Sequence, residues 1–255
     1  SSSNTSVATV LNGVVTGVAA GTVTINYAVT TNGCTKTVSA TVTVKALPIV
    51  NAVTGTLSVC AGSSTTLSNT TAGGTWSSSN TSVATVLNGV VTGVSAGTAN
   101  IYYSVTANGC TKAVAATDTV KAKPNITVNS PTICAGQSAI LSAIIDGTSC
   151  TYIWSTGQAT CCISTEPMNA NATRTVTGSC GGCSDTAVST ITVIPLPATP
   201  TITRRNDTVF SSVTGTQYKW YLNNVLLTTT TTSFLKVTQN GSYKVEVVNN
   251  GCTSL

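Results

Sequence analysis

Residues 1–48 align without a gap onto residues 77–124, an offset of 76, and about four in five of the aligned positions are identical. Self-similarity at a fixed period constrains the fold more than any other feature here, because each period must be one structural unit that folds alone or stacks on its neighbours. Both copies carry SSSNTSVATVLNGVVTGV, then AGT, then NGCTK, then a Val/Thr run closed by Lys and Pro. The echo continues more faintly: CSDTAVSTITVIPLP from Cys183 follows CTKTVSATVTVKALP from Cys34, and Asn250-Gly251-Cys252-Thr253 repeats the NGCT core. These matches define four units, residues 1–48, 49–124, 125–197 and 198–255, with proline-bearing joints at 45–48, 121–124 and 195–200. Proline fixes φ and removes a donor, so such joints stiffen the linkers and predict an extended rod. The first unit starts past the point where its sister has Cys60 and Trp76, so it is expected to lack its opening strands. The fourth is expected to lack its last strand.

Hydrophobic residues make up 41% of the chain, yet aromatics are only 5% and charged residues 7%. Thr and Val are abundant, and their branched Cβ suits a pleated surface and disfavours a helix. Asn88-Gly89 and Asn108-Gly109 lie between short alternating apolar runs. That is the strongest short-range hairpin signal, since both turn positions need positive φ. Ile101, Tyr103 and Val105 alternate with Tyr102, Ser104 and Thr106, which predicts one buried and one wetter face. Many short strands punctuated by Gly and Asn predict an all-β sandwich for each unit. Trp76, Trp154 and Trp220 each fall on a middle strand, where a core plug is expected and carbohydrate stacking is the functional alternative. Tyr243 follows Asn240-Gly241 as in a tyrosine-corner arrangement.

The composition argues against catalysis. Histidine is absent, so no Ser-His-Asp or Cys-His pair can form. The only glutamates, Glu166 and Glu246, lie in different units, which separates the two carboxylates a glycosidase needs. There is no phosphate-binding Gly-rich loop, and four scattered aspartates make no calcium cage. No catalytic, cofactor-binding or metal-binding residue is expected. The net charge of +5 is small and dispersed, without the basic, aromatic-interleaved stripe of a nucleic-acid binder. No apolar run approaches a membrane span.

Ten cysteines without a histidine point to disulfides and an oxidising compartment rather than to zinc. Cys60 and Cys110 lie 50 residues apart, and Cys134 and Cys183 lie 49 apart. The recurring spacing predicts the pairs Cys60–Cys110 and Cys134–Cys183. Each would close a loop worth about 4 kcal/mol by the chain-entropy argument. Cys161 and Cys162 are neighbours on an expected strand and should point to opposite faces. The pairs Cys150–Cys162 and Cys161–Cys180 are therefore assigned to the third unit. Cys34 and Cys252 are left without a partner. Cys180-Gly-Gly-Cys183 lies in an expected hairpin, without the helix N-terminus that would activate a thiol.

Trp76-Ser77-Ser78-Ser79-Asn80 followed by SVATV, NGVVTGV, SAGTA and IYYSV resembles the bacterial immunoglobulin-like group 2 repeat of surface adhesins. The resemblance covers the first two units closely. In the third unit, PTICAGQSAILSA followed by YIWSTG is similar to immunoglobulin-like modules of Bacteroidetes proteins exported by type IX secretion. The resemblance implies tandem immunoglobulin-like sandwiches on the cell surface: an incomplete domain at 1–48, domains at 49–124 and 125–197 (the latter disulfide-rich), and one at 198–255 lacking its last strand. It also implies O-glycosylation at Asp followed by Ser or Thr and a small or aliphatic residue, which matches Thr119, Thr186 and Thr208. The counterpart of Asp118 in the first unit is Val42, an apolar position by phase, so Thr119 should face outward.

The expected role is a non-enzymatic extracellular stalk of a surface adhesin. Two alternatives stay open: a filament subunit assembled by strand exchange between incomplete domains, and a polysaccharide- or ice-binding module using Thr-rich strands such as Thr41-Val42-Thr43 and Thr190-Ile191-Thr192. The expected partners are other copies of the chain or neighbouring immunoglobulin-like domains, with surface glycans or proteins as further candidates.

Overall fold

A computed structural model describes all 255 residues. The chain is all-β and divides into two compact units, Ser1–Ala122 and Lys123–Leu255. No helix is long and apolar enough to cross a membrane.

The first repeat contributes two hairpins: β1 (Ala8–Leu11) with β2 (Val14–Gly17), and β3 (Gly21–Thr31) with β4 (Cys34–Val44). Their turns are Asn12-Gly13 and Asn32-Gly33, all four residues at positive φ as the sequence predicts. The same pairs recur at Asn88-Gly89 and Asn108-Gly109.

The second repeat adds the strands that make a sandwich. They are β5 (Thr54–Gly55), β6 (Ser58–Cys60), β7 (Ser64–Ser68), β8 (Thr75–Ser78), β9 (Ala84–Leu87), β10 (Val90–Gly93), β11 (Gly97–Ala107) and β12 (Cys110–Lys121). One sheet runs β5-β7-β10-β9 and the other β6-β12-β11-β8. Period-two alternation along β11 turns Ala99, Ile101, Tyr103 and Val105 inward: Ala99 and Ile101 pack with Leu67 and Val91 of the facing sheet and Val59 and Val120 of their own, and Tyr103 and Val105 pack with Val50. β6 pairs with β12 in parallel, with Cys60 opposite Lys121. All other ladders of this repeat are antiparallel.

In the second unit, β13 (Ile126–Val128), β14 (Thr132–Cys134), β15 (Ile140–Ile145), β16 (Thr151–Trp154), β17 (Cys162–Ser164), β18 (Ala172–Cys180) and β19 (Cys183–Ile194) form the sheets β13-β15-β17 and β14-β19-β18-β16. β14 repeats the parallel pairing, with Cys134 opposite Ile194 of β19. The last repeat forms β20 (Ile202–Arg205), β21 (Thr208–Ser211), β22 (Gln217–Leu222), β23 (Val225–Thr230), β24 (Phe234–Lys236), β25 (Tyr243–Asn249) and β26 (Cys252–Thr253), in the sheets β20-β21-β24 and β23-β22-β25-β26.

Trp154 and Trp220 are fully buried, and each indole N–H is satisfied, by Thr160 O at 2.9 Å and Thr230 Oγ1 at 3.2 Å. Their faces pack in the core rather than being offered to a sugar. Trp76 is half-buried with its ring 4.8 Å from that of Tyr103. The Tyr243 hydroxyl donates back to Gln239 O at 3.0 Å, as a tyrosine corner requires.

Tyr103 fixes the loop between β7 and β8. Its hydroxyl donates to Thr71 O at 2.5 Å and accepts from Gly74 N at 2.9 Å. A Cβ on Gly74 would fall 2.3 Å from the Tyr103 ring, so only glycine admits this contact. We expect Gly74→Ala to destabilise the Ser1–Ala122 unit by about 1–3 kcal/mol through overpacking, read as a lowered calorimetric transition for that unit alone.

Candidate functional site

The chemistry-bearing groups of the chain are its cysteines and a few acids, and the strand register decides where each lies. β6 pairs with the last residues of β12, so Cys60 sits opposite Lys121, eleven residues along that strand from Cys110. At about 3.3 Å per residue the two cysteines are roughly 36 Å apart, far beyond the ~4.4–6.8 Å between Cα atoms that a disulfide spans. The pair Cys60–Cys110 therefore does not form. Cys110 is a free, half-buried thiol, and Cys60 and Cys183 are disulfide-bonded. The same geometry separates Cys134 from Cys183 at opposite ends of β19, which overturns that pair too. The equal spacings that suggested these pairs reflect the repeat itself.

Cys134 instead bonds Cys252, 118 residues on, with Cα atoms 5.6 Å apart. The bridge joins the opening strand of one repeat to the Asn250-Gly251-Cys252 turn at the tip of the next repeat's closing hairpin. Sequence reasoning missed it because the search for partners stayed within a repeat. The available signal was that Cys252 is the only cysteine of its own repeat.

The assignments Cys150–Cys162 and Cys161–Cys180 are also overturned. Thr151 lies opposite Ser179 in the β16–β18 ladder, so the register brings Cys150 against Cys180, and these two are bonded with Cα atoms 4.5 Å apart. Cys161 and Cys162 are free and exposed, with sulfurs 3.1 Å apart. β17 begins only at Cys162, so strand alternation does not separate the pair as expected. The Cys161 thiol, and then the Ser142 hydroxyl, draw the Cys162 thiol below the usual range, while its hydrogen bond to Cys162 pushes Cys161 up. Cys180-Gly181-Gly182-Cys183 is a tight turn at positive φ between β18 and β19, as the sequence predicts.

Asp118 lies at the apolar phase of β12, opposite Ala99, where the first repeat places Val42 opposite Val23. It is fully buried, and neither carboxylate oxygen has a hydrogen-bond partner. Loss of solvent raises its pKa. Thr119, on the other face, is exposed; Thr186 is exposed and Thr208 half-buried. Glu246 is engaged by Lys244 at 2.8 Å and by the Tyr221 hydroxyl at 2.8 Å, and Lys244 holds it below the usual carboxylate range. Glu166 lines a separate depression of about 430 Å³ with Arg174. No group of three or more His, Cys, Asp or Glu side chains could hold a metal ion.

The first repeat carries an open face. Val15 is 37% exposed where its counterpart Val91 is 0%, Tyr27 68% where Tyr103 is 6%, and Val29 46% where Val105 is 8%. In the second repeat Thr65 of β7 pairs with Val91, Trp76 of β8 and the β7–β8 loop close on Tyr103, and Val50, ahead of β5, packs with Tyr103 and Val105.

No family model matches the sequence, and no curated protein matches it. Solved structures similar to parts of the chain include titin domains A168–A170, at 10% identity and TM-score 0.31 over 81% of this chain and 93% of that one. The titin I-band fragment I67–I69 matches at 10% identity and TM-score 0.29, over 83% and 96%. Domains 4 and 5 of the S-layer protein SbsC match at 19% identity and TM-score 0.25, over 57% and 98%.

Two outcomes are expected from this chemistry. Alkylation of the unreduced protein should label Cys34, Cys110, Cys161 and Cys162 only, Cys162 ahead of Cys161, with a Cys134–Cys252 peptide recovered by non-reducing digestion and mass spectrometry. Asp118→Asn should stabilise the Ser1–Ala122 unit at neutral pH by about 1–3 kcal/mol, because it removes an unpartnered buried charge. A raised folded-state pKa means that the folded unit holds the proton more tightly than the unfolded chain. The wild type therefore gains stability as pH falls through the raised value of Asp118 toward the ordinary carboxylate range, and the advantage of the variant should shrink over that window. Thermal melts at stepped pH measure it.

Proposed function

We propose that the chain is a non-enzymatic, extracellular structural repeat region, acting as the stalk of a bacterial surface adhesin. The observation that carries this reading is the Cys134–Cys252 bridge, which ties the opening strand of one repeat to the closing hairpin of the next. A bond in that position stabilises no single sandwich by closing it; it makes consecutive repeats mechanically continuous. Tension entering near Lys123 crosses from Cys134 to Cys252 and bypasses both cores. Six disulfide-bonded cysteines fit an oxidising, extracellular setting. The sequence resemblance to adhesin repeats supports the cell surface as the location and neighbouring immunoglobulin-like domains as the partners. O-glycosylation at the exposed Thr119 and Thr186 belongs to the same reading.

A second reading, a filament built by strand exchange, is favoured by the exposed Val15, Tyr27 and Val29. Each would contribute about 1.5–3 kcal/mol if fully buried, so a strand supplied in trans has a driving force. Electron microscopy of native material separates the two readings, since ordered filaments support strand exchange and single rods the stalk.

Single-molecule pulling tests the stalk. The bridge should shield the intervening chain when the protein is oxidised, and reduction should release about 40 nm of extra contour length, at up to ~3.6 Å per residue over 118 residues. Equal extension before and after reduction would count against a load-bearing role.

A further inference from the structure

We infer that Cys110 is the acceptor of an inter-repeat disulfide, and that the exposed apolar face of the first repeat is a seat for the cysteine-bearing opening strand of a repeat of this type. The inference deepens the stalk reading and rests on it, since it treats the bridge as a recurring joint.

The joint seen once supplies the geometry. In the second unit Cys134 sits on an opening strand, opposite Ile194 at the end of β19, and bonds the hairpin-tip Cys252 of the next repeat. Lys45 occupies the place of Ile194 in the first repeat: each lies eleven residues after its hairpin cysteine, Cys34 or Cys183, and Lys121 holds the same place in the second, opposite Cys60. Lys45 Nζ donates to Asn108 O at 2.9 Å, so the end of β4 already lies against the Asn108-Gly109-Cys110 turn. A strand laid on β4 in the register that β6 adopts on β12 would place its cysteine opposite Lys45, beside that turn. Cys110 is positioned there as Cys252 is beside Ile194, and its thiol is free.

The seat is open as well. In the second repeat the backbone of Cys60-Ala61-Gly62 crosses Gly93: Gly62 N donates to Gly93 O at 2.8 Å, Ala61 N to Lys121 O at 2.9 Å, and a Cβ on Gly93 would meet Cys60 O at 2.9 Å. Val120 Cγ1, also 2.9 Å away, crowds the same spot, so Gly93 is buried between β12 of the facing sheet and that turn. Gly17 is its counterpart: a Cβ there would meet Val44 Cγ1 at 2.9 Å, as one on Gly93 meets Val120, but no turn lies on Gly17, which is exposed and lines a depression of about 390 Å³ with Val18, Val44 and Lys45. The occupant that fits is a Val-Cys-Ala-Gly turn within a segment that covers Val15, Tyr27 and Val29 as Val50, Thr65 and Trp76 pack on Val105, Val91 and Tyr103. Bond formation removes one proton and one electron from each thiol. A low-molecular-weight disulfide such as oxidised glutathione accepts both electrons and leaves as two thiols.

The test is the full chain with a second copy of residues 49–76 joined ahead of Ser1, which continues the sequence as Trp76 runs into Ser77. After equilibration in a glutathione redox buffer, non-reducing peptide mapping should find the grafted cysteine bonded to Cys110, and Cys110 should no longer alkylate. The same graft carrying Cys→Ser should bury Tyr27, read as loss of its solvent exposure by NMR, and leave Cys110 a thiol. A graft that buries Tyr27 while its cysteine bonds Cys34 or stays reduced overturns the staple and leaves the stalk reading to the pulling experiment. A graft that leaves Tyr27 exposed overturns the seat.

Discussion

In each complete repeat the short opening strand pairs in parallel with the end of the long closing strand, β6 on β12 and β14 on β19. A parallel neighbour cannot be reached by a tight turn, so the chain between the two strands must travel through the rest of the sandwich. The opening cysteine therefore ends up at the pole opposite its own hairpin tip, next to the linker that leaves the repeat. Within the Lys123–Leu255 unit the last repeat's hairpin tip lies at that pole of the repeat before it. One backbone choice thus fixes which cysteines can meet, and it sends the Cys134 bond across a joint rather than across a core. The stabilisation such a bond adds is a property of the array more than of any one domain.

Local chemistry was legible in the sequence and long-range geometry was not. Asn-Gly pairs announced their turns because only a few residue types tolerate two successive positive φ values. Alternation along β11 announced its buried face, and Asp118 was read as sitting at an apolar phase, where it is indeed buried. The disulfides failed for a different reason. Spacing along a chain says how often a cysteine recurs, not which pole of a sandwich it occupies, and that depends on a parallel ladder with no short-range signature. Tyr27 and Tyr103 make the point within one molecule. They occupy equivalent places in nearly identical sequence, yet one is mostly exposed and the other packs on Trp76 and Gly74. Burial there is decided by residues 49–76, which no window around either tyrosine contains.

The acids divide by the same logic. Glu246 has a cation and a hydroxyl beside it, and they hold its carboxylate charged. Asp118 has neither, and sits where the sister repeat keeps valine. The smaller Ala99 opposite it, in place of Val23, accompanies the change. The second repeat thus tolerates a local defect within a core in which Ile101, Leu67 and Val91 are buried.

The bridge from Cys134 to Cys252 also encloses the joint at residues 195–200 inside a covalent ring. Linkers are the usual points of proteolytic attack, because they run over the surface with few contacts. Here a single cut in that linker opens the ring without parting the two repeats, and a thiol reductant is needed as well before either can be shed. A surface structure built this way would resist secreted proteases at its weakest points, and its release would be governed by the redox state of its surroundings.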